Sequence, residues 1–482
     1  MPDSPVDSNP PDAAGPADLS TRRPIWELLS LAGPTVAQMA SYTLMQFIDT
    51  WILTRLGVTA PTAAANAGMI SFSAISLGMG IMFVVNTLVS QSFGRRDLAG
   101  CGRYLWQGIW VSVGFTVLLL PLLPVLPKVF RMLGHEPELV RMETLYLQIV
   151  LPAAGLKLIA TALGEFMLGI DRPLAVSISS ATGVAVNACV AWGLVLGNWG
   201  LPRLGVAGAG WAQNAGVFVE MLVLAAFATR PYIRNTFGVL TEWRFRPAQA
   251  LTLLKVGIPS GVQIVADVLA WSAFQMWVMS AFHTEAMAAN IFVFRYMSVS
   301  FMPAFGLSIA VTALVGRYIG MGRPDIAAQR ANLGFVVTAV YMVACGLLFF
   351  FGRSKLMGLF TDDPQVLRIG EVLLVVAAIY QLFDAMYIIY NGALRGAGDT
   401  LVPAIMTATM CWAITVFGGY FVARTWPQIG PVGPWVAAAL YGVILGIFLL
   451  VRFRRGRWRS IRLDRPADAD TVRGFDVLPA KA

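Results

Sequence analysis

Apolar residues in this 482-residue chain are gathered into blocks of roughly 20 to 30 positions, the length a helix needs to cross the hydrocarbon layer of a membrane. The blocks run approximately over 28–56, 63–91, 104–125, 140–168, 173–196, 206–229, 251–281, 286–316, 331–351, 368–394, 401–422 and 432–453. Inside a bilayer no water is present to satisfy backbone N–H and C=O groups, so only helices and closed barrels span it. These blocks are continuously apolar and do not alternate over about ten residues, which favours helices over a barrel. The expected fold is an all-α membrane protein of about twelve transmembrane helices in contact with lipid. Composition agrees, with 57% hydrophobic and only 13% charged residues.

The net charge of +9 is mostly Arg and reports topology. Arg95, Arg96, Arg103, Arg172, Arg230, Arg234, Arg244, Arg246, Arg317, Arg323, Arg330, Arg395 and the cluster at 452–459 fall on alternate loops and near the chain ends. The opposite loops hold fewer: Lys128, Arg131, Arg203, Arg353, Lys355 and Arg424. The positive-inside rule then places both termini in the cytoplasm. The basic tail is expected beside anionic lipid and not on nucleic acid. Cys101, Cys189, Cys345 and Cys411 lie in a cytoplasmic loop or inside spans, so no disulfide framework follows. Residues 1–24, rich in Pro, Asp, Ser and Ala, read as a disordered cytoplasmic tail.

The chain is a duplication. With a shift of about 225 residues, Leu31-Ala-Gly-Pro34-Thr-Val-Ala-Gln38 faces Val256-Gly-Ile-Pro259-Ser-Gly-Val-Gln263. Ala65-Asn66 faces Ala289-Asn290, Gly94-Arg95-Arg96-Asp97 faces Gly320-Met-Gly-Arg323-Pro-Asp325, and Met167-Leu-Gly169 faces Leu394-Arg-Gly396. Each half holds six spans, an even number, so both enter from the same side and are related by a pseudo-twofold axis along the membrane normal. The amino-terminal lobe is expected over 25–229, a cytoplasmic linker over 230–248, the carboxyl-terminal lobe over 249–454, and a basic cytoplasmic tail over 455–482.

Two acids stand in apolar runs: Asp267 in Gln263-Ile-Val-Ala-Asp267-Val-Leu-Ala-Trp271, and Asp384 in Tyr380-Gln-Leu-Phe-Asp384-Ala-Met-Tyr387. A carboxylate at such depth costs several kcal/mol or more and normally serves an ion, proton or cation in a wet cavity. Tyr380 and Asp384, four apart, share one helix face. Two carboxylates and a phenol at one level suit Na⁺ as hard oxygen ligands, and they equally suit a shared proton, because adjacent buried acids resist double ionisation. Trp271 and Phe274 follow Asp267 at i+4 and i+7 with Met276 and Trp277 nearby, and Tyr387 and Tyr390 follow Asp384. Such surfaces suit flat lipophilic cations. Asp49 shares a face with Tyr42, Met45 and Gln46. Lys157 and Glu220 are intramembrane, with Lys157–Glu220 and Arg295–Asp267 as possible pairs. Glu165 is expected to be solvated near a helix end, and His135 and His283 fall in outer loops. No phosphate-cradling loop with Lys is present, so ATP use is not expected.

The stretch from Gly33-Pro34 through Phe47-Ile-Asp49-Thr50, the region 187–209, Gly257-Ile-Pro259 with Asp267, and Tyr380-Gln-Leu-Phe-Asp384 leading to Gly396-Ala-Gly-Asp399-Thr400 resemble the MATE (multidrug and toxic compound extrusion) family over about 30–453. An acid near Gly257-Ile-Pro259 is similar to the NorM-like branch. Ala289-Asn-Ile-Phe-Val-Phe-Arg295 resembles the DinF-like branch, yet Ala191 stands where that branch carries an Asp four residues after Asn187.

The resemblance implies a secondary antiporter in the bacterial inner membrane. It would expel organic cations or other xenobiotics in exchange for Na⁺ or H⁺ by alternating access, as a monomer. Asp267, Tyr380 and Asp384 are then the cation-coupling residues. Asp49 becomes a second acid for a proton or for substrate. Gln38, Tyr42, Met45, Asn187, Gln263, Trp271, Phe274, Arg295 and Tyr387 become lining candidates. A lipid-linked oligosaccharide flippase of the same superfamily is the alternative; it would favour a basic cavity, whereas the expected one is acidic. A membrane enzyme would need His, Ser–His or metal-ligand clusters, and the chain has only two His.

Overall fold

The computed structural model describes residues 23–57, 59–132 and 134–463. The expected tail at 1–22 and the stretch beyond residue 463 lie outside the described residues. The amino-terminal lobe comprises α1 (Pro24–Thr54), α2 (Thr59–Gly94), α3 (Leu98–Leu119), α4 (Leu126–Met132), α5 (Pro137–Val150), α6 (Ala154–Gly169), α7 (Pro173–Leu196) and α8 (Val206–Ala228). After α9 (Pro231–Phe237) come α10 (Pro247–Ala273), α11 (Thr284–Gly320), α12 (Pro324–Gly358), α13 (Pro364–Gly396), α14 (Leu401–Met410), α15 (Gly419–Thr425) and α16 (Val432–Arg454). The described residues contain no strand.

Ten helices are long and apolar enough to cross a membrane, and an eleventh span forms if α5 and α6, bent by 48° at their junction, are taken together. The remaining segment of the twelve expected is α1. It packs along α7 and α11, but Glu27, Thr35, Gln38, Gln46 and Asp49 make it less apolar than the others. Prolines open many helices (Pro24, Pro137, Pro173, Pro231, Pro247, Pro324, Pro364), where the missing N–H would have no helical partner. Two π-helical segments interrupt the carboxyl lobe, at Phe274–Val278 and Cys411–Gly418, and neither is legible in the apolar pattern.

The duplication is visible in reciprocal contacts. Gly94 abuts the carbonyl of Arg317, and its counterpart Gly320 abuts the carbonyl of Gln91. Gly80 packs on the backbone of Gly261, and Gly306 on that of Val36. Left-handed backbone recurs too: Arg96 (φ 62) matches Gly322 (φ 71), and Asp171 (φ 65) matches Gly398 (φ 83).

The linker is strapped to the amino lobe. Phe237 packs on Phe93 and Phe166 with centroids 6.1 and 6.0 Å away. Trp110 Nε1 donates to the Trp243 carbonyl at 2.9 Å, and Gln107 bonds both Arg244 and Arg246. The expected tail from residue 455 is not free at its start: Trp458 is buried, stacked on Phe453 at 4.9 Å, and Leu463 packs against the amino-lobe core. Aromatic and apolar side chains override the charge of the surrounding arginines there.

Candidate functional site

In the carboxyl lobe, α10, α13 and α16 bring both acids to a set of phenols. Asp267 accepts hydrogen bonds from Tyr387 Oη at 2.7 Å and Tyr441 Oη at 3.2 Å. Asp384 accepts from Tyr380 Oη at 3.0 Å, the i,i+4 pair expected on one helix face. Asp384 and Tyr380 are buried, and the charges of Asp267 and Asp384 act on one another. Among the described residues no Arg or Lys pairs with either acid. Arg295 in particular is exposed and forms no ion pair with Asp267. Beside them Gln263 Nε2 donates to Thr407 Oγ1 at 3.1 Å, and Trp412 Nε1 to the Ala266 carbonyl at 3.2 Å.

Two contributors are not legible in the sequence. Tyr441 lies in an apolar run of α16 with nothing to say which way it faces. Gly442 follows it, and any Cβ there would collide with the Tyr380 ring. The donors present, carboxylate and phenolic oxygens, fit a hard monovalent cation or a proton. Among the described residues no three His, Cys, Asp or Glu gather as a metal cluster.

Trp271, Met297, Val376, Ala377, Tyr380 and Trp435 line a small cleft next to this site. Phe274, expected to line it, is instead fully buried, edge-on to Trp435 at 6.3 Å, because the π-helical segment beginning there turns it into the core. Tyr390 also points away, donating to Asn332 Oδ1 at 3.1 Å. Met276 and Trp277 are 58% and 60% exposed and do not line this cleft.

The amino lobe holds two polar groups. Asp49 and Asn187 are neighbours: the Asn187 amide faces the Asp49 carboxylate, although the pair falls short of close hydrogen-bond geometry, and Asp49 Oδ1 and both amide atoms of Asn187 are buried with no other partner among the described residues. Ala191, one turn on from Asn187, is buried in an apolar cluster. Met45 is half-buried. Below lies a triad: Tyr42 Oη donates to Glu220 Oε1 at 2.6 Å, and Lys157 Nζ reaches Tyr42 Oη at 3.0 Å and Glu220 Oε2 at 3.5 Å. Gln38 Nε2 also meets Tyr42 Oη, at 3.4 Å.

The lobes join at the end that carries the Arg-rich loops. Glu27 of α1, 1% exposed, accepts from Tyr318 Oη at 2.8 Å and Arg330 Nε at 2.7 Å. Arg317, fully buried over the Phe93 ring, reaches Asp171 at 3.1 Å. Thr87 and Gln91 donate to the carbonyls of Arg395 and Gly396 at 3.0 Å each. Glu165 is not solvated as expected: it is buried, accepts from Asn86 Nδ2 at 2.9 Å, and senses the charge of Arg395. Burial follows because α6 packs on α2, α3 and α8 and ends against Val89 and Ser90 of α2, not in solvent. Toward the other end Met69 and Phe72 of α2, and Ile291 and Arg295 of α11, stand exposed. There His135 Nδ1 and Asn66 Nδ2 each meet the buried Glu143 at 2.9 Å.

The MatE family model matches residues 34–192 and again 259–421, one block per lobe. The probable multidrug resistance protein NorM of Rhodopseudomonas palustris is 30% identical over 474 residues, covering 95% of this chain and 96% of that protein. The multidrug resistance protein PmpM of Pseudomonas aeruginosa is 26% identical over 468 residues, covering 95% and 97%. A solved outward-facing conformation of a multidrug resistance MATE family transporter of the MOP superfamily superposes with a TM-score of 0.83 at 17% identity, over 91% of this chain and 98% of that one, and so shares the fold. Two halves built around one repeat, each matched over most of its length by the same model, make this chain a multi-pass membrane protein that belongs to the MatE (multidrug and toxic compound extrusion) family.

Proposed function

We propose that the protein is a secondary antiporter that expels organic cations and related xenobiotics in exchange for Na⁺ or H⁺. The observation that carries this reading is the pair of carboxylates, Asp267 and Asp384, held by Tyr387, Tyr441 and Tyr380 with no basic partner among the described residues. Acids left unpaired in a membrane segment favour whatever cation reaches them. A cation at that site lowers the mutual repulsion of the two carboxylates and stabilises the arrangement that brings them together. The aromatic cleft beside them, with Trp271 and Tyr380, supplies ring faces for a lipophilic cation.

Contacts between the lobes at the Arg-rich end, with exposed side chains of α2 and α11 toward the other, fit one extreme of alternating access between two parallel repeats. Arg on the closed side supports a cytoplasmic placing of that side and of both chain ends, with this conformation open to the outside. The names of the similar proteins NorM and PmpM, both multidrug resistance proteins, support export of drugs from the bacterial cytoplasm. The protein works as a monomer in this reading, because each lobe supplies its own site.

Dye efflux from cells, with a Na⁺ gradient or a pH gradient imposed separately, tests the reading. Efflux that follows one gradient and stops when it is collapsed is expected. Efflux indifferent to both gradients rejects it. A reporter fused behind Ala482 that is active in the cytoplasm checks the orientation.

A further inference from the structure

The repeat that relates the two lobes also relates their buried charges. Matching Pro34 to Pro259 and Gln38 to Gln263 sets Tyr42 of α1 against Asp267 of α10. Matching Gly169 to Gly396, where α6 and α13 both end, sets Lys157 of α6 against Asp384 of α13. The same two positions therefore meet the same kind of neighbour in each lobe, with different charges. In the carboxyl lobe they are two acids with phenols around them. In the amino lobe they are a phenol and an ammonium, joined by Glu220 of α8, which is 4% exposed.

The amino-lobe geometry is that of an occupied cation site. Lys157 Nζ lies 3.0 Å from Tyr42 Oη, 3.5 Å from a Glu220 oxygen, and 4.2 Å from the centroid of the Tyr42 ring. Tyr42 Oη in turn donates to Glu220 at 2.6 Å, and Gln38 Nε2 stands 3.4 Å from the same phenol. Carboxylate, phenolic oxygen and ring face are the groups that would surround a free monovalent cation. Here the cation is a side chain of the protein and cannot leave.

We infer that the amino lobe holds a second cation site, the counterpart of the carboxyl-lobe acids, kept permanently filled by the ammonium of Lys157. Exchangeable cations are then refused at this position of the amino lobe and taken at its counterpart in the carboxyl lobe. The inference rests on the reading that Asp267 and Asp384 bind the coupling ion, and it adds where a second ion is refused and why. Removing the tethered charge should open the site, because Glu220 and Tyr42 would remain without a cation.

Binding of radioactive sodium to purified protein at neutral and alkaline pH tests this. The wild type is expected to bind sodium in a manner lost with Asp384→Asn. Lys157→Gln should gain one ion per chain, retained in the Lys157→Gln/Asp384→Asn double variant and lost again when Glu220→Gln is added. Lys157→Arg, which keeps a tethered cation, should gain none. A monodisperse Lys157→Gln protein that gains no sodium at either pH overturns the inference, as does a gain that survives Glu220→Gln. Equal binding by wild type and Asp384→Asn would reject the carboxyl-lobe reading, while the Lys157→Gln arm still decides the amino lobe. Lys157→Gln/Glu220→Gln, which leaves neither charge buried alone, guards against a folding defect in the single variant. It should export with the wild-type ion dependence, and an altered dependence also overturns the inference.

Discussion

Charge is buried in two regions of this molecule, and it is handled in opposite ways. At the Arg-rich end, Glu27 and Asp171 of the amino lobe pair with Arg330 and Arg317 of the carboxyl lobe, and Glu165 feels the charge of Arg395. Within the carboxyl lobe, Asp267 and Asp384 meet phenols and the Cys411 thiol and, among the described residues, no arginine or lysine. A buried pair satisfied across an interface holds two bodies in one arrangement, and breaking it by removing one partner is costly. A buried acid with hydrogen bonds but no counter-charge is left open to an ion from solution. The first region closes the molecule, and the second gives it something to respond to.

The largest effect should come from the open acids. Asp384→Asn and Asp267→Asn keep the side-chain shape and remove the charge, so export should fall to background with normal amounts of protein in the membrane. Asp49→Asn should retain cation-dependent drug release in purified protein, because the coupling acids lie in the other lobe. Wild-type efflux in the first two variants, or a cation response lost only with Asp49→Asn, would reverse the assignment of roles.

Next in size is the seam. Arg330→Ala strands Glu27 in a buried site, and a loss of about 3–5 kcal/mol is expected for such an uncompensated charge. Because the pair joins the lobes, the loss should appear as opening at the Arg-rich end. Labelling of a cysteine introduced at Thr35, buried beside Gly306, reads it directly. Added Glu27→Gln should recover most of the closure. Unchanged labelling would mean that glycine packing alone, as at Gly80 and Gly94, holds the seam.

A smaller change is expected from Tyr441→Phe. It removes one of two hydrogen bonds to Asp267, worth about 1.5–3 kcal/mol for a bond to a charged group. Efflux should fall several-fold and the ion concentration needed for half-maximal rate should shift. Tyr390→Phe, whose hydroxyl serves Asn332, should shift neither. Smallest of all, Trp277→Ala should leave efflux within error, since that ring is 60% exposed and does not line the cleft beside the acids. A marked defect there would place it in the drug path.

The helical spans, the duplication and the two acids of the carboxyl lobe were all legible in the chain, because each is written locally. A span needs only enough apolar residues in a row, a repeat needs only recurring Pro and Gly, and a carboxylate in such a run is conspicuous wherever it packs. Tyr380 and Asp384 could be paired for the same reason, since the helix itself puts them on one face.

Only the tertiary structure could decide which polar groups meet. Tyr441 reaches Asp267 across from α16, Phe274 turns into the core where the helix widens into a π segment, and Glu27 finds Arg330 some three hundred positions away. Such choices depend on the rotation of each helix about its axis, which neighbouring side chains set through packing. Along nearly all-apolar spans the hydrophobic pattern leaves that rotation undetermined. The length and polarity of each span therefore follow from sequence, while the partners of its buried charges follow from the fit between helices.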